Sequence, residues 1–497
     1  MCQDLVINVD DQYLKDNHQY LSAFTNTDKL NHRIFIHYTD SKETYLTNPF
    51  RYLVNDVYLF LGDIDQDEHQ VCKHNLDQFV HAQVHKLDLG LNVEFLTGQL
   101  PESLTYLNLS TYKSPPFVQE IMSNLPFNLK KLVLTSGDYN FASNSVPLPE
   151  SVTDLEYYGT LENLKSFVVP PNKVFKNCEL QLDSVEALEW LQENQWVNNV
   201  SIDSPKVLIG LTIPSHVKTM NFYGDISAEV ESSFPLMLES FTCYDSVLLC
   251  PALFTNLRSL TSWIFEAKLE RNFLPQSLEH LDIHYTFPLE AGVLPNLTSL
   301  VLNLFNHPLD IGVLPSSLTS LKLPQFMQSL KPYALPNKLE QLQMYFINQP
   351  TIACYSLPDS LTLLKLNNFK GSFELCQPLN HLKILHLNTI YPSVSTLLPN
   401  IKRLDLILEN TDELSGTCLV NTCIESLSIN CKSVSFLYAN SLPSTLKYLT
   451  LSNIYIQSND VIPESCIYLK AYWIDINPEF IPQSVNYFYT RSSLLNK

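Results

Sequence analysis

A chain of 497 residues that is 45% hydrophobic and only 16% charged can bury a large core, which excludes global disorder. Its formal charge of −20, from 51 acidic against 31 basic residues, sets the surface against phosphate backbones and argues against nucleic acid as a partner. No stretch approaches the roughly 18 consecutive apolar residues of a membrane helix, so no membrane partner is expected.

The chain opens with MCQDLVINVDDQYLKDN, which lacks the basic n-region and apolar core of a secretory signal. The 11 cysteines are odd in number and irregularly spaced, the usage of reduced thiols, so the expected location is cytoplasmic. The sequons at Asn108, Asn199 and Asn296 are then incidental. Residues 1–75 hold no clear period, although HRIFIHY and VNDVYLFLG read as strands, and they are expected to form an N-terminal capping segment. Asp63, Asp65 and Asp67 form D-x-D-x-D, the opening of a calcium loop. Glu68 stands where glycine is needed and His74 where a bidentate glutamate is needed, so a solvated acidic loop is expected. His69, Cys72, His74, His81 and His85 carry zinc-binding atom types at a spacing that matches no common zinc pattern. No metal is expected.

From Val84 onward the pattern apolar-x-x-apolar-x-apolar returns again and again. Its clearest copies begin at Leu278, Leu297, Leu318, Leu339, Leu361, Leu382 and Ile401, a step of 19 to 22 residues. Looser copies begin at Val84, Leu104, Leu129, Val152, Phe175, Val197, Val217, Leu238, Leu257, Ile424, Leu446, Cys466 and Val485. Such a period is the signature of a repeat solenoid, here of about 20 turns over residues 76–490. The fourth and sixth residues of each unit are two apart, the spacing of one strand face, so successive turns should lay short strands side by side in one long curved parallel β-sheet. The remaining residues of each turn supply the crossover that parallel pairing needs, as mostly irregular convex segments with few helices.

Before each strand stands a recurring turn, as in Leu100-Pro101-Glu102-Ser103, Leu274-Pro275-Gln276-Ser277, Leu314-Pro315-Ser316-Ser317, Leu357-Pro358-Asp359-Ser360 and Leu442-Pro443-Ser444-Thr445. Proline lacks an N–H and belongs ahead of the ladder, and the hydroxyl beside it is expected to cap a local backbone group. A serine repeated in this way, with no fixed base beside it, is architecture rather than a nucleophile. The segment DSVEALEWLQENQWV departs from the pattern and predicts a true helix near 184–194. Asp183 or Ser184 would be its N-cap, with Val185, Leu188 and Leu191 along its packed side. Tyr487, Phe488 and Tyr489 lie in the last unit, where they would shield the open strand, and residues 491–497 form a C-terminal tail.

The L-x-x-L-x-L strands resemble leucine-rich repeats, but the ninth position of the central units is Phe265, Phe305, Phe326, Ile347, Phe369 or Ile390, with Phe287 displaced by one. Phe305-Asn306-His307-Pro308-Leu309 followed by Gly312-Val313-Leu314-Pro315-Ser316-Ser317-Leu318 closely resembles the FNIP repeat, as does Ile347-Asn348-Gln349-Pro350 before Leu357-Pro358-Asp359-Ser360-Leu361. The resemblance is clearest over residues 257–410. It implies a leucine-rich-repeat-like scaffold and brings no catalytic residues with it.

No Walker loop, dinucleotide glycine fingerprint or G-x-S-x-G elbow occurs, and 11 glycines leave little material for phosphate cradles. The chain is therefore read as non-enzymatic, with no cofactor. On a concave sheet face the third, fifth, seventh and eighth positions of each unit would point to a ligand. They hold His280, Asp282, His284, Tyr285, Lys322, Gln343, Tyr345, Phe346, Lys365 and His386 as binding candidates. Aromatics beside polar groups are the composition of a protein interface, so the expected function is a scaffold binding a protein or peptide on that face. The alternative is a substrate-recognition adaptor of a ubiquitin ligase, although residues 1–60 carry no evident F-box-like helical motif.

Overall fold

The computed structural model describes residues 5–9, 30–37, 42–62 and 73–491, apart from 94, 112–115, 136–138, 140, 142–144, 204–205, 207–209, 245–248, 266, 348, 389–391, 409–418 and 475. The chain divides into two compact units, residues 1–223 with 232–235 and residues 224–231 with 236–497. Each unit is a leucine-rich-repeat-like parallel β-solenoid. Among the described residues no helix is long and apolar enough to cross a membrane.

The second unit shows most directly how the sequence period becomes structure. Strands Ser259–Ser262, His280–Ile283, Ser299–Leu302, Ser320–Leu323, Gln341–Met344 and Leu363–Leu366 pair in parallel, each with the next. The register aligns Leu260, Leu281, Leu300, Leu321, Leu342 and Leu364 in one row. Because side chains alternate along a strand, residues two apart share a face, and here that face is the core. Leu318, Leu321 and Leu323 of one turn are fully buried, and so is Phe326 beyond the strand. Phe305 and Phe326 occupy equivalent places one turn apart and stack with ring centroids 6.3 Å apart. Phe265, Ile347 and Phe369 are buried at the same position, whereas Ile390 lies outside the described residues. At Ile384–Leu387 the next strand, Arg403–Leu408, slips by two residues, so Leu385 faces Leu406 rather than Leu404. A slip of two keeps every side chain on its own face.

The turn before each strand is closed by a backbone bond across the proline, for example from the Leu318 N–H to the Pro315 carbonyl at 3.2 Å. The adjoining hydroxyl does not cap its own turn. Ser317 Oγ donates to the Leu297 carbonyl at 2.7 Å, Ser277 Oγ to Leu257 at 2.8 Å and Ser360 Oγ to Leu339 at 2.6 Å, each one turn back. Ser103, Ser151, Thr445 and Ser465 repeat the contact in four more turns. The carbonyl served sits just ahead of the regular ladder, which is why a side chain reaches it. These hydroxyls therefore fasten turn to turn.

In the first unit the ladder runs in parallel pairs from Leu5–Val9 through Leu30–His37, Asp56–Gly62 and Lys86–Asn92 to Thr219–Phe222. Strands from within residues 1–75 thus belong to the same sheet as the strands that follow them. Partners such as Leu5 and Leu30, or Val57 and Leu87, are 25 and 30 residues apart, and these long steps hide the period from the sequence. The helix forms at Val185–Glu193, with Ser184 as N-cap accepting from the Ala187 N–H at 3.2 Å. Leu188 and Leu191 are buried as expected, but the third packed residue is Ala187, and Val185 is exposed. Val185 is the first residue of the helix, outside the buried arc of Ala187, Leu188 and Leu191.

Cys178, Cys376, Cys431 and Cys466 are free, buried thiols. Burial raises the pKa of the Cys178 thiol, that of Cys376 and Cys431 to about 12, and that of Cys466 to about 11. These thiols stay protonated and serve as small apolar core residues.

Candidate interaction face of the second unit

The leucines that fill the core leave the alternate residues of each strand on the opposite face of the sheet. One outward row runs Thr261, Asp282, Val301, Lys322, Gln343, Lys365 and His386, each residue registered against the next. Parallel strands lie ~4.8 Å apart, so neighbours in this row are within side-chain reach. Asn303 Nδ2 donates to Asp282 Oδ1 at 2.7 Å, which joins two adjacent turns across the face. Lys365 Nζ lies 5.3 Å from the centroid of the Tyr345 ring, a cation–π distance.

The candidate residues separate into three groups in the structure. His280, Asp282 and His284 form one exposed to half-buried cluster, and Lys322, Gln343, Tyr345, Phe346 and Lys365 form another, with Phe346 43% exposed. His386 follows Lys365 in the row but is buried. Tyr285 does not belong to the face at all. Its ring is fully buried and its hydroxyl oxygen accepts from the Leu269 N–H at 3.2 Å. The alternation that sends Leu281 and Ile283 inward simply continues for one more step, so Tyr285, and not the displaced Phe287, is this turn's inward aromatic.

One residue of this face was absent from the candidates read in the sequence. Trp263, 54% exposed, stacks on His284 at 6.0 Å and packs against Tyr244 at 5.5 Å, forming an aromatic line across three turns. Extending the seventh position of the repeat one unit back from His284 reaches Trp263, so the signal was available.

Two of the candidate zinc histidines, His81 and His85, hydrogen-bond to backbone carbonyls. His81 Nε2 is 2.9 Å from the Arg51 carbonyl and His85 Nδ1 is 2.9 Å from the Ser103 carbonyl. His69, Cys72 and the D-x-D-x-D segment lie outside the described residues. Among the described residues no cluster of three metal-ligating side chains occurs.

Residues 305–346 match the family model described as FNIP Repeat, which falls within the stretch 257–410 where the resemblance is clearest. Among solved structures the chain is similar to CroV588, described as a novel circular LRR protein, at 19% identity and a TM-score of 0.46, over 99% of this chain and 70% of that one. It is also similar to YopM from Yersinia enterocolitica WA-314, at 17% identity and a TM-score of 0.34, over 79% and 88% of the two chains. The functional domain of InlJ from Listeria monocytogenes gives 13% identity and a TM-score of 0.33, over 74% and 76%. No curated protein matches the chain.

Proposed function

We propose that the protein is a non-enzymatic interaction scaffold that binds a protein or peptide across the outward sheet face of its second unit. The observation that carries this reading is the exposure of Trp263 and Phe346 just past strands that are already paired on both sides. Apolar rings that are not needed for the core, set beside His284, Asp282, Gln343 and Lys365, form aromatic anchors with a polar surround. A ligand lying across the strands would contact one turn about every 4.8 Å, and each turn would offer it a different side chain. The described part of residues 1–75 contributes strands and the short helix Lys42–Thr47, an arrangement that gives the ubiquitin-ligase adaptor no added support.

A photo-crosslinking phenylalanine analogue at position 346, introduced into the full chain in its native cell, tests the reading. A discrete crosslinked partner that also disappears from affinity capture when Trp263→Ala and Phe346→Ala are combined is the expected result. An unchanged partner set in the double variant would count against this face.

A further inference from the structure

The outward face of the first unit has a different chemistry. A depression of about 500 Å3 there is lined by Tyr158, Glu179, Gln181, Ser201, Asp203 and Tyr223. Glu179 is registered between Tyr158 on one neighbouring strand and Asn199 on the other, so all three point from the same face of the sheet. Although it stands on the solvent side, Glu179 is only 8% exposed. Asn221 Nδ2 donates to its Oε2 at 2.5 Å, and the side chains of Ser201 and Asn199 also hydrogen-bond to the carboxylate. Among the described residues no lysine or arginine pairs with it.

Two carboxylates, Glu179 and Asp203, line the depression. Asn199 lies behind the Glu179 carboxylate, outside the lining, and only braces it. Asp203 receives one bond, from Gln181 Nε2 to Oδ2 at 2.8 Å. Burial, and secondarily the nearby Asp203 charge, raise the proton affinity of Glu179, the mark of a carboxylate lacking a counter-charge. A buried carboxylate without a counter-charge, lining the same depression as a second carboxylate, calls for a ligand that is positively charged and donates hydrogen bonds in several directions. Tyr158, 66% exposed, and Tyr223 stand at the margin, where ring faces can receive such a cation.

We propose that this depression binds the ammonium or guanidinium head of a lysine or arginine side chain presented by a partner segment. The head supplies donors to Glu179 and Asp203, and its alkyl stem lies against Tyr158. The formal charge of −20 draws basic segments toward the surface before the contact forms. This site uses residues separate from the aromatic face of the second unit, and either can fail without the other.

Calorimetric titration of the full chain with acetyl-Gly-Arg-Gly-amide and with its uncharged citrulline counterpart tests the proposal. The arginine peptide should bind about tenfold or more tightly than the citrulline peptide. Glu179→Gln and Asp203→Asn should each remove most of that difference, while Glu464→Gln in the second unit should leave it unchanged. Tyr158→Leu, at an exposed ring, weakens binding several-fold without touching the core, which keeps the test open if Glu179→Gln fails to fold. Equal affinity for the two peptides, or full affinity in both Asp203→Asn and Tyr158→Leu, would overturn the site. Methylguanidinium alone binding as tightly as the arginine peptide would overturn the partner-segment assignment.

Discussion

The two units pair their strands in the same way but reach that pairing through turns of different regularity. From Leu281 to Leu385 of the second unit, registered partners are 19, 21, 21, 22 and 21 residues apart. In the first unit the corresponding steps include 30 from Val57 to Leu87, 25 from Leu107 to Leu132 and 20 from Leu180 to Val200. The step of 25 accommodates the helix Pro116–Ser123 in its crossover. Only the few strand residues must register for a parallel ladder to form; the crossover can lengthen without moving a leucine to the wrong face. The outward faces then diverge, with Trp263, His284 and Phe346 on the regular unit and Glu179 and Asp203 on the irregular one.

The largest expected effect tests whether irregular turns mean a looser core. Leu321 and Leu107 are both fully buried, one in each unit. Each should lose about 2–5 kcal/mol on truncation to alanine, measured by denaturant unfolding. Leu321→Asp should lose more, because an unpaired charge is added to the cavity. A cost below about 1 kcal/mol for Leu107→Ala alone would show the first unit to be slack. A smaller loss is expected at the hydroxyl fastening. Ser317→Ala leaves the Leu297 carbonyl without its 2.7 Å bond and should cost about 1 kcal/mol, as should Ser103→Ala at the equivalent place in the first unit. If Ser317→Ala were as damaging as Leu321→Asp in thermal unfolding, the assignment of inward and outward positions would be wrong.

The same contrast explains what could be read in the sequence. The inward leucines, the Leu-Pro turns and the Ser184 cap follow from local spacing, and they stand where that spacing puts them. Tyr285 went astray because the residue after a strand can either continue the alternation, as it does, or turn outward, as Phe346 does. Val185 went astray because helical periodicity fixes the angle between residues but not which arc of the helix is buried. Glu179 was invisible for a deeper reason. Its burial and its hydrogen bonds come from Asn199, Ser201 and Asn221, the last 42 residues away, and nothing in the local sequence announces that they will converge.

The smallest effect is the one that best separates the two faces. Burial holds the pKa of Glu179 above its ordinary value, with hydrogen bonds from Ser201, Asn221 and Asn199 opposing the shift and Asp203 adding to it. The folded protein therefore binds this proton more tightly than the unfolded chain does. Its stabilising contribution is complete below the unfolded pKa and is lost as pH rises through the folded one. Glu179→Gln has no such proton to lose, so its melting temperature relative to the natural protein should climb as pH rises above the ordinary glutamate pKa and through the raised one. The comparison is a difference between two proteins that both retain Asp203, so titration elsewhere largely cancels. A difference that stayed flat or fell with pH would mean that the carboxylate is comfortably solvated, with no need of a counter-charge. Saturating arginine peptide at pH 7 should narrow the gap by supplying that counter-charge to the natural protein alone. An acidic group that weakens the empty fold at neutral pH and regains stability only with a cation bound behaves as a binding residue rather than as part of the frame.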